Sequence, residues 1–178
     1  MKSLLLTFSD KSSKKIPIPE SFEELTFEKY LSALNAPNDW PNQVAALTGL
    51  DLEFILSLDF NSSIILRKTI GPLFIPENLL QFDSPEFAGL EPIEIENESW
   101  NLLEIAKKKI AEVLNEKKDL LNSFPEILSA YRPEITKDEI LSGPVSKWYG
   151  LANFFLSGLI GSLNAIENLT TNQATPTS

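Results

Sequence analysis

Hydrophobic positions along this chain begin with a period of two and then switch to steps of three and four. Leu4, Leu6 and Phe8 alternate with Leu5 and Thr7, and Ile16 and Ile18 resume strand spacing after the polar stretch 9–14. The pattern predicts a β-hairpin over residues 1–19, ended by Pro17 and Pro19. The apolar run after Lys2 stops at Phe8, which is short for a signal-peptide core and reads as a strand. Lys2, Lys11, Lys14 and Lys15 face the single acid Asp10 in this segment. Their simplest role is to keep strand edges soluble, and a basic patch for an acidic partner is the alternative.

Residues 20–90 predict short helices. Ser21-Phe-Glu-Glu24 has the form of a capping box, and Thr26 offers a second cap before the stripe Phe27, Tyr30, Leu31 and Leu34. Asn38 or Asp39 can cap a helix that has Pro41 early in it and Gly49 at its end. Asp51 opens a short helix, Asp59 to Ser63 offers a turn or cap before Ile64, Ile65, Leu66 and Ile70, Gly71-Pro72 stops that element, and Pro76 to Leu80 spans a turn or two. Pro92-Ile-Glu-Ile-Glu96 alternates apolar with acidic residues and reads as an edge strand extending the hairpin.

From residue 99 to 169 the pattern predicts long helices. Leu102, Ala106, Ile110, Val113, Leu114, Leu120 and Leu121 recur at helical spacing as the longest amphipathic helix. Ser123 before Phe124-Pro125 and Thr136-Lys-Asp-Glu139 then open two shorter ones. The composition of 170–178 predicts a disordered tail. The fold class expected is therefore mainly α, a multi-helix single domain over residues 1–169 with a small N-terminal β-hairpin and a possible strand near 92–96.

The final helical run, Trp148 to Ile166, carries no charge, so its length alone admits a membrane span. Gly150, Asn153, Ser157, Gly161 and Asn164 fall on one stripe, however, which suits a buried helix approached closely by a neighbour. The span reading, resting on the small pairs Gly158/Ser162 and Ser157/Gly161, stays as an alternative in which helix 148–166 associates with a membrane.

Composition narrows the chemistry. The 178 residues contain no His and no Cys. That removes Ser-His-Asp and Cys-His triads, disulfides and zinc sites built on His or Cys. Glu91, Glu94, Glu96 and Glu98 are the densest acidic cluster but lack the glycine turn of a calcium loop, and the glycines form no phosphate-binding motif. No catalytic, cofactor-binding or metal residue is nominated. A net charge of −10 and a pI near 4.5 argue against direct nucleic-acid binding. The expectation is a non-enzymatic protein whose function lies in its surfaces. Trp40, Trp100 and Trp148, each near a helix start, and Phe154 and Phe155 are the candidate partner-binding residues.

Ile18-Pro-Glu-Ser-Phe-Glu-Glu-Leu-Thr-Phe-Glu-Lys-Tyr-Leu31, Ala45-Ala-Leu-Thr-Gly-Leu-Asp51 and Gly150-Leu-Ala-Asn-Phe-Phe-Leu156 resemble segments of small structural-cluster proteins of tailed phages. The resemblance touches both ends of the chain and rests on capping and packing signals. It implies a tail or head-tail morphogenesis protein. One form would be a tail assembly chaperone binding a tape measure or tail tube protein in the host cytoplasm, and the other a structural subunit retained in the virion. Self-association into a homo-oligomer is left open.

Overall fold

A computed structural model of the chain describes residues 1–90 and 100–173, with the side chains of Pro76, Phe87 and 165–173 excepted. The strand expected at 92–96, the glutamates at 91, 94, 96 and 98, and positions 174–178 lie outside the described residues.

The chain is mainly helical with an N-terminal antiparallel hairpin. Strand β1 (Lys2–Thr7) pairs with β2 (Ser13–Ile18) in the register Lys2↔Ile18, Leu4↔Ile16 and Leu6↔Lys14. Period-two alternation buries Leu4, Leu6, Ile16 and Ile18 and turns Leu5 outward. At the turn the Asp10 carboxylate accepts from the amide and hydroxyl of Ser12, while Lys11 takes a left-handed φ of 70°. Those hydrogen bonds hold the Asp10 carboxyl below its usual pKa.

Eight α-helices follow among the described residues: α1 (Phe27–Asn35), α2 (Trp40–Thr48), α3 (Leu52–Leu56), α4 (Phe60–Ile70), α5 (Trp100–Asn115), α6 (Phe124–Tyr131), α7 (Lys137–Ser142) and α8 (Val145–Gln173). Short 3-10 turns over 71–74, 76–82, 85–88 and 120–123 link them. Several boundaries are set by caps within the segment. Thr26, Asp39, Asp59 and Thr136 accept from the amides of Lys29, Asn42, Ser62 and Glu139. Gly49 closes α2 with φ 76°.

Three boundaries differ from the sequence expectation, and at the first of them tertiary contacts outcompete a local motif. Ser21 to Glu24 forms a turn rather than a helix start. The carbonyls of Phe22 and Leu25 accept instead from the amides of Ser146 and Val145, and Phe27 N donates to Gly143 O. The first amides of α8, which no helix can satisfy internally, thus find acceptors in the 22–25 turn. Glu24 pairs with the N-terminal ammonium of Met1 and accepts from Glu20 N.

The helix expected to run through Leu121 ends at Asn115. Lys118 N donates to Val113 O and Lys117 N to Leu114 O, with Lys117 at φ 55°. This is a Schellman closure made without glycine. Asp119 then caps the separate 120–123 turn, which is tied to α1 through Asn35 and Asn122. The longest helix is accordingly α8, with 29 residues against 16 in α5. It continues to Gln173, past the Thr170 at which the tail was expected to begin.

Buried residues from the hairpin and from α1 to α8 form one hydrophobic cluster. At its centre Phe124 lies edge-on to Phe27 at 5.9 Å and to Phe155 at 6.3 Å, and Tyr131 meets Phe155 at 5.2 Å.

Candidate interaction surfaces

The five aromatic residues singled out in the sequence are divided by the fold. Trp148 and Phe155 are each only 1% exposed, so they are core residues and not contact residues. They lie on the face of α8 turned toward α6 and α7, and burying such rings is worth more than leaving them in water. Trp148 fits because Gly143 carries no side chain: a Cβ there would sit 2.3 Å from Trp148 Nε1. That nitrogen is buried without a hydrogen-bond partner among the described residues. Trp40 is half-buried, edge-on to Phe74 at 5.6 Å with the Arg67 guanidinium 5.1 Å from its ring. Trp100 and Phe154 are exposed, at 62% and 56%.

The small-residue stripe of α8 is used only in part, and its neighbour is not a helix. A Cβ on Gly150 would lie 2.4 Å from Phe82 O, Ser84 N and Ser84 O, so the backbone of the 82–84 segment rests against the glycine. Asn153 Nδ2 donates to Asp83 Oδ1 at 3.1 Å on the same contact. Farther along, Ser157, Gly158 and Gly161 are exposed. Among the described residues no helix is long and apolar enough to cross a membrane.

Beyond that contact, α8 forms one wall of a trench made of two adjoining cavities. The first, about 400 Å³, is lined by Tyr30, Leu34, Asp119, Tyr149, Leu156 and Ser157, among others. The second, about 320 Å³, lies between α5 at Ile110, Ala111 and Leu114 and α8 at Leu163. Leu120 and Ile160 border both. The lining is mostly apolar, and the Tyr30–Tyr149 pair, whose rings meet edge-on at 6.3 Å, adds two phenols to it. Burial, then the neighbouring Tyr149 and Asp119, raises the Tyr30 pKa, so this phenol stays protonated and donates rather than acting as a base. Residues lining the trench, Leu114, Leu120 and Ile160 above all, were not recognised as a site in the sequence, because the break after Asn115 brings them together.

One polar network braces the wall opposite α8. Glu126 on α6 joins Lys109 of α5 and Lys137 of α7, the latter at 2.6 Å. These two cations, Lys109 first, hold the Glu126 carboxyl below its ordinary value of 4.5. A carboxyl with a depressed folded pKa adds stability above its unfolded pKa and loses it as pH falls through the folded value. Replacing Glu126 with Gln should therefore lower the melting temperature at neutral pH. The difference from the parent chain should shrink to nothing as the pH is taken well below 4.5, which parallel thermal melts would read.

A further apolar surface lies on the outward side of α3 and α4, where Leu56, Phe60, Ile64 and Ile65 are exposed. Among the described residues no group of three or more acidic side chains gathers as a metal site. Compared with family models, curated proteins and solved structures, the chain matches none.

Proposed function

We propose that this chain is a protein-protein assembly factor that holds an apolar helical segment of a partner in the trench between α5 and α8. The observation that carries this reading is the trench itself, two cavities of about 400 and 320 Å³ that meet at Leu120 and Ile160. Leu114 on its rim is left 57% exposed. A groove of this kind takes the apolar face of an amphipathic helix through anchors three and four residues apart. The tailed-phage resemblance of residues 18–31, 45–51 and 150–156 supports a tail or head-tail setting. The partner is then a tape measure or tail tube protein, kept soluble in the host cytoplasm until assembly.

The test is coexpression with a tape measure protein taken from the same genome as this chain. The parent should keep that protein in the soluble fraction, and Leu114→Glu or Ile160→Glu should release it into the pellet at unchanged melting temperature. An insoluble tape measure in the presence of the parent chain would count against the chaperone role. Finding the chain at fixed stoichiometry in purified particles would instead favour a retained structural subunit.

A further inference from the structure

Helix α4 presents two different faces. Ser62, Leu66 and Ile70 are buried, and Ser62 Oγ accepts from Thr7 N of the hairpin at 2.8 Å. On the other side Phe60, Ile64 and Lys68 follow one another at four-residue steps, with Ile65 and Arg67 beside them, all exposed. A solvent-facing helix normally carries charge on this row. Here it is apolar over its first two turns.

Two properties of this ridge identify what covers it. The first is area. Leu52, Leu56, Phe60, Ile64 and Ile65 are 37, 63, 79, 36 and 44% exposed. At about 200 Å² a side chain, that is roughly 500 Å² of apolar surface. A standard interface takes about 800 Å² from each partner, and homodimer interfaces are about 65% apolar, which requires roughly the same 500 Å². The second is charge order. Asp51 and Glu53 flank Leu52 on α3, Asp59 stands at the start of α4, and the cations Arg67 and Lys68 follow Ile65, with no acid between Phe60 and Ile75. A helix pair crossing antiparallel at Ile64 sets the cationic end of each α4 beside the acidic start of the other. The helix dipoles then oppose favourably as well. An acidic start and a basic end with an apolar middle form a surface complementary to itself, as a two-fold contact requires.

We propose that the outward face of α3 and α4 is the interface of a symmetric homodimer, in which Phe60 and Ile64 pack across the two-fold axis and Lys68 faces Asp59 of the second copy. This surface is separate from the trench and does not depend on what the trench binds.

Sedimentation of the full chain across about 1 to 100 µM should give the dimer mass. Phe60→Asp, at a position 79% exposed, should leave the melting transition of the monomer in place, and Phe60→Asp and Ile64→Asp should each weaken association at least ~10-fold. Lys68→Glu should weaken it by a smaller, salt-dependent factor. Because the chain has no cysteine, Ile64→Cys supplies a single thiol that should oxidise to a linked dimer, whereas Ser142→Cys on α7 should not. A monomer at every concentration overturns the proposal. So does a dimer indifferent to both aspartate substitutions, or a mass that grows with concentration without stopping at two copies.

Discussion

Phe124→Ala should unfold the chain at markedly lower denaturant concentration, with a stability loss of about 3–5 kcal/mol, the cost usual for removing a fully buried phenyl ring. The ring has no exposed surface and touches two elements besides its own: Phe27 of α1 stands 5.9 Å from it and Phe155 of α8 6.3 Å. Neither neighbour can close the gap without abandoning other contacts. Phe155 is held on its far side by Tyr131, and Phe27 N is bonded to Gly143 O. The cavity should therefore stay largely open, placing the loss toward the upper part of that range. Urea titration followed by helical circular dichroism checks the value. Phe124→Leu, which retains most of the volume, should recover a large part of it. A loss below about 1 kcal/mol for Phe124→Ala would mean that the three helices do not meet at this ring.

Gly150→Ala should also destabilise, although the same exchange at Gly161 should stabilise. In a helix interior alanine is favoured over glycine by about 1 kcal/mol, because glycine loses more backbone freedom on folding. At Gly161 nothing lies within 4 Å of the added methyl, so that gain should appear nearly whole. At Gly150 the methyl would meet three backbone atoms of the 82–84 segment at 2.4 Å. Backbone cannot rotate away as a flexible side chain does. The segment has to lift, straining the Asn153–Asp83 hydrogen bond and the packing of 82–88 on α8. Overpacking of this kind costs about 1–3 kcal/mol and, against three backbone atoms, exceeds the propensity gain, leaving a net loss of up to about 2 kcal/mol. For a chain of this length each kcal/mol moves the melting temperature by about 2–4 °C, so the two alanine variants should move it in opposite directions. Equal shifts at the two positions would mean that the 82–84 segment does not rest on α8.

The contrast between these glycines shows which kinds of feature were legible beforehand. The stripe containing both was visible as spacing, and a close neighbour was inferred from it. What the neighbour was, and that it reached Gly150 but not Gly161, depended on where residues 82–84 fold. The same holds for the aromatic candidates. Trp100, Trp148, Phe154 and Phe155 all lie on helices, but rotation of α8 about its axis sends Phe154 to solvent and the adjacent Phe155 into the core. Hydrophobicity alone does not distinguish adjacent phenylalanines. Packing partners do.

By itself the sequence determined the class and most of the local grammar. Two strands follow from period-two alternation, and helix starts at Thr26, Asp39 and Thr136 follow from side chains that reach an amide three residues ahead. Such signals survive because both partners lie within one turn of chain. Only the tertiary structure decided that Ser21 to Glu24 is a turn, that the helix from Trp100 closes at Asn115, and that Leu114, Leu120 and Ile160 border one trench while Phe60 and Ile64 form a separate ridge. For the 21–24 turn and for the segment after Asn115, partners distant in sequence take part. The amides of Val145 and Ser146 claim the carbonyls of the 22–25 turn, and Asn35 holds the 120–123 segment. A local capping motif is worth about 1 kcal/mol. Leaving the buried amides at the start of α8 without acceptors would cost more, and that difference sets the fold where the two compete.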